Sequence, residues 1–145
     1  MLVIQKQSGV TLIELLLVIA LVSIIAASVS PFLSRFILQN SLEVSTGYTV
    51  GFLRKAQAYS IDGKNDAAWG TCITGPILRL YRGTCASPAV SDDYSIPPVT
   101  TITGLTDVTF SKRRGEPSIP LTITIATTLG SNTITVNEAG GMTIN

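Results

Sequence analysis

The residues that could carry chemistry are few and widely spaced. Glu14 stands inside the run VTLIELLLVIALVSIIAAS (10–28), and twenty uncharged residues separate it from Arg35. A carboxylate at bilayer depth costs about 2.5–3.5 kcal/mol on insertion scales unless a cation answers it. Cys72 and Cys85, with twelve residues between them, could bond to each other. Lys112-Arg113-Arg114 is the only dense basic run; it could grip phosphates, or be a solvated turn before Gly115. Asp92-Asp93 offers two neighbouring carboxylates, short of the six to eight oxygens calcium takes, and reads as part of a loop. Trp69 and Tyr81 could stack on a ligand, pack in the core or anchor a loop. There is no His, which removes the commonest general base and the commonest metal ligand. With no Ser–His, Cys–His or Gly-rich phosphate motif either, the chain reads as no enzyme, with no cofactor and no metal.

These residues sit on a chain of 145, enough for one domain with an appended segment. Charged residues make up 13% and apolar ones 46%, and the apolar excess is concentrated near the N-terminus. Twenty uncharged residues of helix rise about 30 Å, the thickness of a bilayer core. Residues 10–34 are therefore a membrane-spanning candidate. A secretory signal with a cleavage site at Ala26-Ala27-Ser28 competes, but its apolar core would be shorter and would have no use for Glu14. The net charge of +1 gives no global field for nucleic acid. Lys6, with no acidic residue before the span, keeps the leader in the cytoplasm and sends the C-terminal part across the membrane. In that oxidising space Cys72 and Cys85 favour a disulfide worth about 3 kcal/mol, with two buried thiols as the alternative.

The spacing predicts one long helix over residues 10–61. Pro31 stands within it as a tolerated kink. Beyond Arg35, Val44, Tyr48, Phe52, Ala56 and Tyr59 recur at helical intervals, so residues 35–62 form an amphipathic half, flanked by Glu43, Thr49, Arg54 and Lys55. Gly47 and Gly51, four apart, admit either a close backbone neighbour or local flexibility. Residues 63–145 change texture to Thr, Gly, Pro and Ser, with alternating strands at 77–82, 108–111, 121–128, 132–137 and 142–144. Turns are expected at Gly130-Ser131 and Gly140-Gly141, and residues 86–99 read as a loop. The fold class is α+β: a long N-terminal helix laid on a small antiparallel sheet.

Gly9, an apolar Val10, then Thr11-Leu12-Ile13-Glu14-Leu15-Leu16 and a long apolar helix resemble the type III signal of type IV pilins and type II secretion pseudopilins. The resemblance implies a leader of residues 1–9 removed by prepilin peptidase between Gly9 and Val10, and N-methylation of Val10. Val10 stands where the family usually has phenylalanine. Glu14 becomes the fifth residue of the mature chain and Pro31 the twenty-second, both matching the family's pattern. A new amine on Val10, buried among apolar helices, would find its partner in the Glu14 carboxylate of a neighbouring subunit, which makes Glu14 an assembly residue. Weaker likenesses point to the GspH/FimT minor group: LRKAQAYS (53–60), with Gln57 where arginine is common, DVTFSKRRGEPS (107–118) and ITVNEAGGMTI (134–144).

The resemblance implies a structural minor pilin or pseudopilin of the bacterial inner membrane. It would be single-pass, with its C-terminal domain outside the cytoplasm, and would then enter an extracellular or periplasmic filament. Its partners would be other subunits, the peptidase, the inner-membrane assembly platform and, before assembly, membrane lipid. Two alternatives stand beside it. One is a filament-tip DNA receptor using Lys112, Arg113 and Arg114, although no basic residue follows Arg114. The other is an anchored secreted domain unrelated to pili.

Overall fold

The computed structural model describes residues 10–145, apart from the side chains of residues 28–31. Helix α1 runs Leu12–Ile61. The eight strands that follow are β1 (Trp69–Thr74), β2 (Ile77–Gly83), β3 (Pro88–Ser95), β4 (Thr101–Thr103), β5 (Asp107–Phe110), β6 (Leu121–Thr127), β7 (Gly130–Val136) and β8 (Met142–Ile144). The chain divides between Phe36 and Ile37 into two compact units. In the first, every described side chain up to Phe36 is exposed, and the helix continues through Pro31. Everything below concerns the second unit until the N-terminus is taken up again.

The strands make two antiparallel four-stranded sheets, ordered β3-β2-β1-β5 and β4-β6-β7-β8, where a single sheet was expected. Alternation accounts for the strands that the sequence displays. Leu121, Ile123 and Ile125 of β6 are buried, as are Ile134 and Val136 of β7, with threonines between them. Three strands go unread, each for its own reason. β1 is buried at its first four positions, on both faces. β3, within the stretch expected to be a loop, is an edge strand exposed along nearly all its length, and Pro88 at its start needs no ladder partner. β4 is only three residues long. The β6–β7 turn is Thr128-Leu129 rather than Gly130-Ser131, since Gly130 already pairs with Thr127.

The helix face that meets the sheets also differs from the expected stripe. Val44 and Tyr48 are exposed, while Ser45, Thr46, Thr49, Val50, Phe52, Leu53, Ala56 and Ser60 are buried. The apolar periodicity misleads because half of this face is small and polar. Thr46 and Thr49 donate their hydroxyls one turn back, to the carbonyls of Leu42 at 2.7 Å and Ser45 at 2.8 Å. Satisfied in this way, they cost little to bury and let the sheets approach closely. Leu53 and Ala56 then join Leu78, Leu80, Val108, Phe110, Ile123 and Ile134 in one core.

The other face of the first sheet is also covered. Tyr81 of β2 lies across Gly70 of β1, its pairing partner, and donates its hydroxyl to Asp107. Burial, then the Asp107 hydrogen bond, push the phenol well above its ordinary value, so Tyr81 stays protonated at any working pH. A Cβ on Gly70 would stand 2.6 Å from the Tyr81 ring and 2.8 Å from the Val108 carbonyl. Gly70→Ala should therefore displace Tyr81 and lower stability by about 1–3 kcal/mol, read as a shifted midpoint in chemical unfolding. An unchanged midpoint would show that the ring can move aside freely.

Candidate functional site

The residues with the clearest chemical meaning lie at the start of α1. Thr11 is the residue before the helix, and its Oγ1 accepts the Glu14 N–H at 3.3 Å while its carbonyl accepts the Leu15 N–H at 3.1 Å. That places Thr11 at the N-cap and Glu14 three residues into the helix, the Thr-x-x-Glu spacing of a capping box. Such a cap contributes about 1 kcal/mol, and an acid in the first turn also faces the positive end of the helix dipole. Sequence reading took Thr11 only as part of the motif and missed its role as a cap, although its spacing to Glu14 carried the signal. Gly9 and Lys6 lie outside the described residues. Among those described, Glu14 makes no ion pair, and Val10, Leu12 and Ile13 around it are exposed. The helix they begin is long and apolar enough to cross a membrane.

The other residues singled out from the sequence do not converge. Cys72 and Cys85 are joined as a disulfide, Cys72 fully buried in β1 and Cys85 in the turn after β2. Beside it, Arg79 grips Asp93 with two hydrogen bonds of 2.8 and 2.7 Å and donates a third, at 3.2 Å, to the Cys85 carbonyl. Asp92, next to Asp93 on β3, pairs with Lys55 of α1 at 2.7 Å. Each of the two neighbouring acids thus has its own cation. No group of three or more metal-ligating side chains comes together among the described residues. Trp69 and Tyr81 are both buried on opposite faces of one sheet, which rules out a shared ligand surface. Trp69 instead donates its ring N–H to the Lys64 carbonyl and packs edge-on against Tyr59, with ring centroids 4.9 Å apart.

The basic run is local structure as much as charge. Lys112 pairs with Asp66, and Arg114 lies 3.6 Å from Glu116. Arg113 adopts a left-handed φ of 69° and donates its backbone N–H to the Ser60 carbonyl, closing the end of α1. Gln57 anchors the same end. Its Nε2 donates to the Gly115 carbonyl at 3.0 Å and the Gly140 carbonyl at 2.9 Å, a role for which an uncharged amide suffices.

The family model of the prokaryotic N-terminal methylation motif matches residues 4–30, which include Thr11, Glu14 and most of the apolar run. The N-terminal segment is type IV pilin-like. Neither the comparison with curated proteins nor that with solved structures returned a match. Beyond the matched segment, the architecture is one long N-terminal helix packed on antiparallel sheets, with a disulfide in the β-region. The matched motif belongs to structural precursors rather than enzymes, and the apolar helix is consistent with membrane anchoring.

The Arg79–Asp93 pair gives the β-domain an acid-sensitive contact. The Arg79 hydrogen bond holds the Asp93 carboxyl below its ordinary value, against a smaller opposing effect of burial. A depressed carboxyl stabilises the fold above its unfolded pKa of about 3.9, and that contribution is lost as pH falls through the folded value. Asp93→Asn should lower stability at pH 7 and flatten the decline below about pH 4, measured as thermal midpoints across pH. Parallel curves for the two proteins would remove Asp93 from the acid response.

Proposed function

We propose that the chain is the precursor of a filament subunit. It is cut between Gly9 and Val10, methylated on the Val10 amine, held in the membrane by residues 10–34 and then built into a type IV pilus or type II secretion pseudopilus. The observation that carries this is the methylation motif over residues 4–30, whose only acid is Glu14. The Thr11 cap supports it, because it starts the helix one residue after the cleavage point. In this reading the Val10 amine is a cation made by the cleavage itself, and the Glu14 of an adjacent subunit neutralises it on assembly. The likenesses at 53–60, 107–118 and 134–144 favour a minor subunit of the GspH/FimT group. A DNA receptor has less support, since two of the three cations at 112–114 already face acids.

Intact mass from cells with and without active prepilin peptidase is the direct test. The expected product lacks residues 1–9, carries one added methyl and is two hydrogens short through Cys72–Cys85. An uncut chain in both strains, or a cut near Ala27, would sink the reading. Glu14→Ala should still be cut but should fail to assemble. Breaking a buried ion pair costs about 3–5 kcal/mol, so incorporation into sheared filaments should fall roughly 100-fold or more. Undiminished incorporation would remove Glu14 from assembly.

A further inference from the structure

On the outer face of the first sheet, three strands and one turn meet at a single guanidinium. Gly70 and Cys72 of β1 share that face with Arg79 and Tyr81 of β2. Arg79 pairs in register with Cys72 on one side and with Asp93 of β3 on the other. It donates from Nε and Nη2 to the two Asp93 oxygens, and from Nη1 to the Cys85 carbonyl. Cys85 belongs to the turn after β2, which ends at Gly83, about 13 Å of strand beyond Arg79. To reach Cys72 the turn doubles back over the sheet. The left-handed φ of 103° at Gly83, with the register shift beside it, marks where the turn leaves the ladder.

What keeps the turn there is the Cys72–Cys85 bond, the Arg79 hydrogen bond to the Cys85 carbonyl and the contact of Thr74 Oγ1 with Cys85 Sγ at 3.3 Å. On this face the strand that follows depends on the same arginine. β3 is the edge of its sheet and exposed along most of its length, and its Asp92–Lys55 pair, on the other face, is open to solvent. Arg79–Asp93 is better shielded, with the Arg79 side chain 18% exposed. A guanidinium is one rigid plane, so the positions of the Cys85 carbonyl and the Asp93 carboxylate constrain each other. Coupling of that kind is reciprocal: fixing the turn favours the β3 contact, and the β3 contact favours the turn.

We propose that oxidation of Cys72 and Cys85 and the fastening of β3 are one coupled step, so that the edge strand is loose in the dithiol chain and locked in the disulfide form. Cys85 is partly exposed and Cys72 fully buried, which sets the order of events. The Cys85 thiolate attacks a donor disulfide and releases one donor thiol; the Cys72 thiolate then displaces the second donor thiol from Cys85. The two cysteine thiols give up two protons and two electrons, and the donor disulfide takes them up as two thiols. The inference rests on the β-domain alone and stands or falls apart from the filament reading.

The test equilibrates the full chain in detergent with mixtures of reduced and oxidised dithiothreitol, and counts free thiols by alkylation and intact mass. Arg79→Gln and Asp93→Asn should each lower the equilibrium constant for disulfide formation roughly fivefold or more. Asp92→Asn, which breaks the exposed pair on the other face of the same strand, should change it less than about twofold. An unchanged constant in either of the first two variants overturns the coupling. An equal fall in Asp92→Asn shows a general loosening of the strand and overturns it too. Wild type held as the dithiol should exchange its backbone amides at 90–94 roughly fivefold faster or more than the disulfide form, with those of β6 and β7 unchanged. Equal exchange at β3 overturns the loose edge strand. Faster exchange throughout the domain assigns the disulfide to the whole fold rather than to β3, and overturns it likewise.

Discussion

One helix carries two kinds of surface, and the rest of the structure follows from the change between them. The described side chains of α1 up to Phe36 are exposed and mostly apolar. From Leu42 to Ser60 it must instead present one face that two sheets can close upon. That face is made narrow and smooth by hydroxyl residues that bond back to their own helix, so Leu53 and Phe52 project from a low surface into the joint core. A larger apolar stripe at Ser45 and Thr49 would hold the sheets away from the backbone.

The helix ends against its own domain. Ser60 receives the Trp69 N–H and gives its carbonyl to Arg113, while Gln57 ties down the loops at Gly115 and Gly140. Three segments distant in sequence are thus hydrogen-bonded to the last two turns of α1. At the outer face of the first sheet, the disulfide, the Arg79–Asp93 pair and the Tyr81–Asp107 bond cover the strands where no second layer does. The small domain thereby gains rigidity on the side its single helix cannot reach.

Much of this was legible in the sequence, for identifiable reasons. The long helix, the α+β class and the strands β2, β5, β6, β7 and β8 follow from periodicity, clearest in β5, β6 and β7, where buried and more exposed positions alternate. The division into two sheets was not legible, because the strands that complete the first sheet hide their period. β1 is dry on both sides and β3 wet on both. The buried face of α1 was misjudged because a hydropathy pattern counts Thr49 as polar, although its hydroxyl is satisfied within the helix and fully removed from water. At the N-terminus the motif itself stood out, but Thr11 read only as part of a signature, and its role as a cap depends on where the helix begins.

That starting point sets a tolerance. A chain cut after Gly9 would have only Val10 and the capping Thr11 ahead of the first helical residue, Leu12. Such a terminus has no slack with which to search for a counter-charge. Its height and bearing are inherited from a rigid rod, in which each residue advances about 1.5 Å and turns about 100°. Sliding a neighbour by a single residue would swing a carboxylate roughly a quarter-turn away from the amine. In the proposed assembly, a capped helix in that position would act as a vernier, turning a crude electrostatic attraction into a one-residue criterion for alignment.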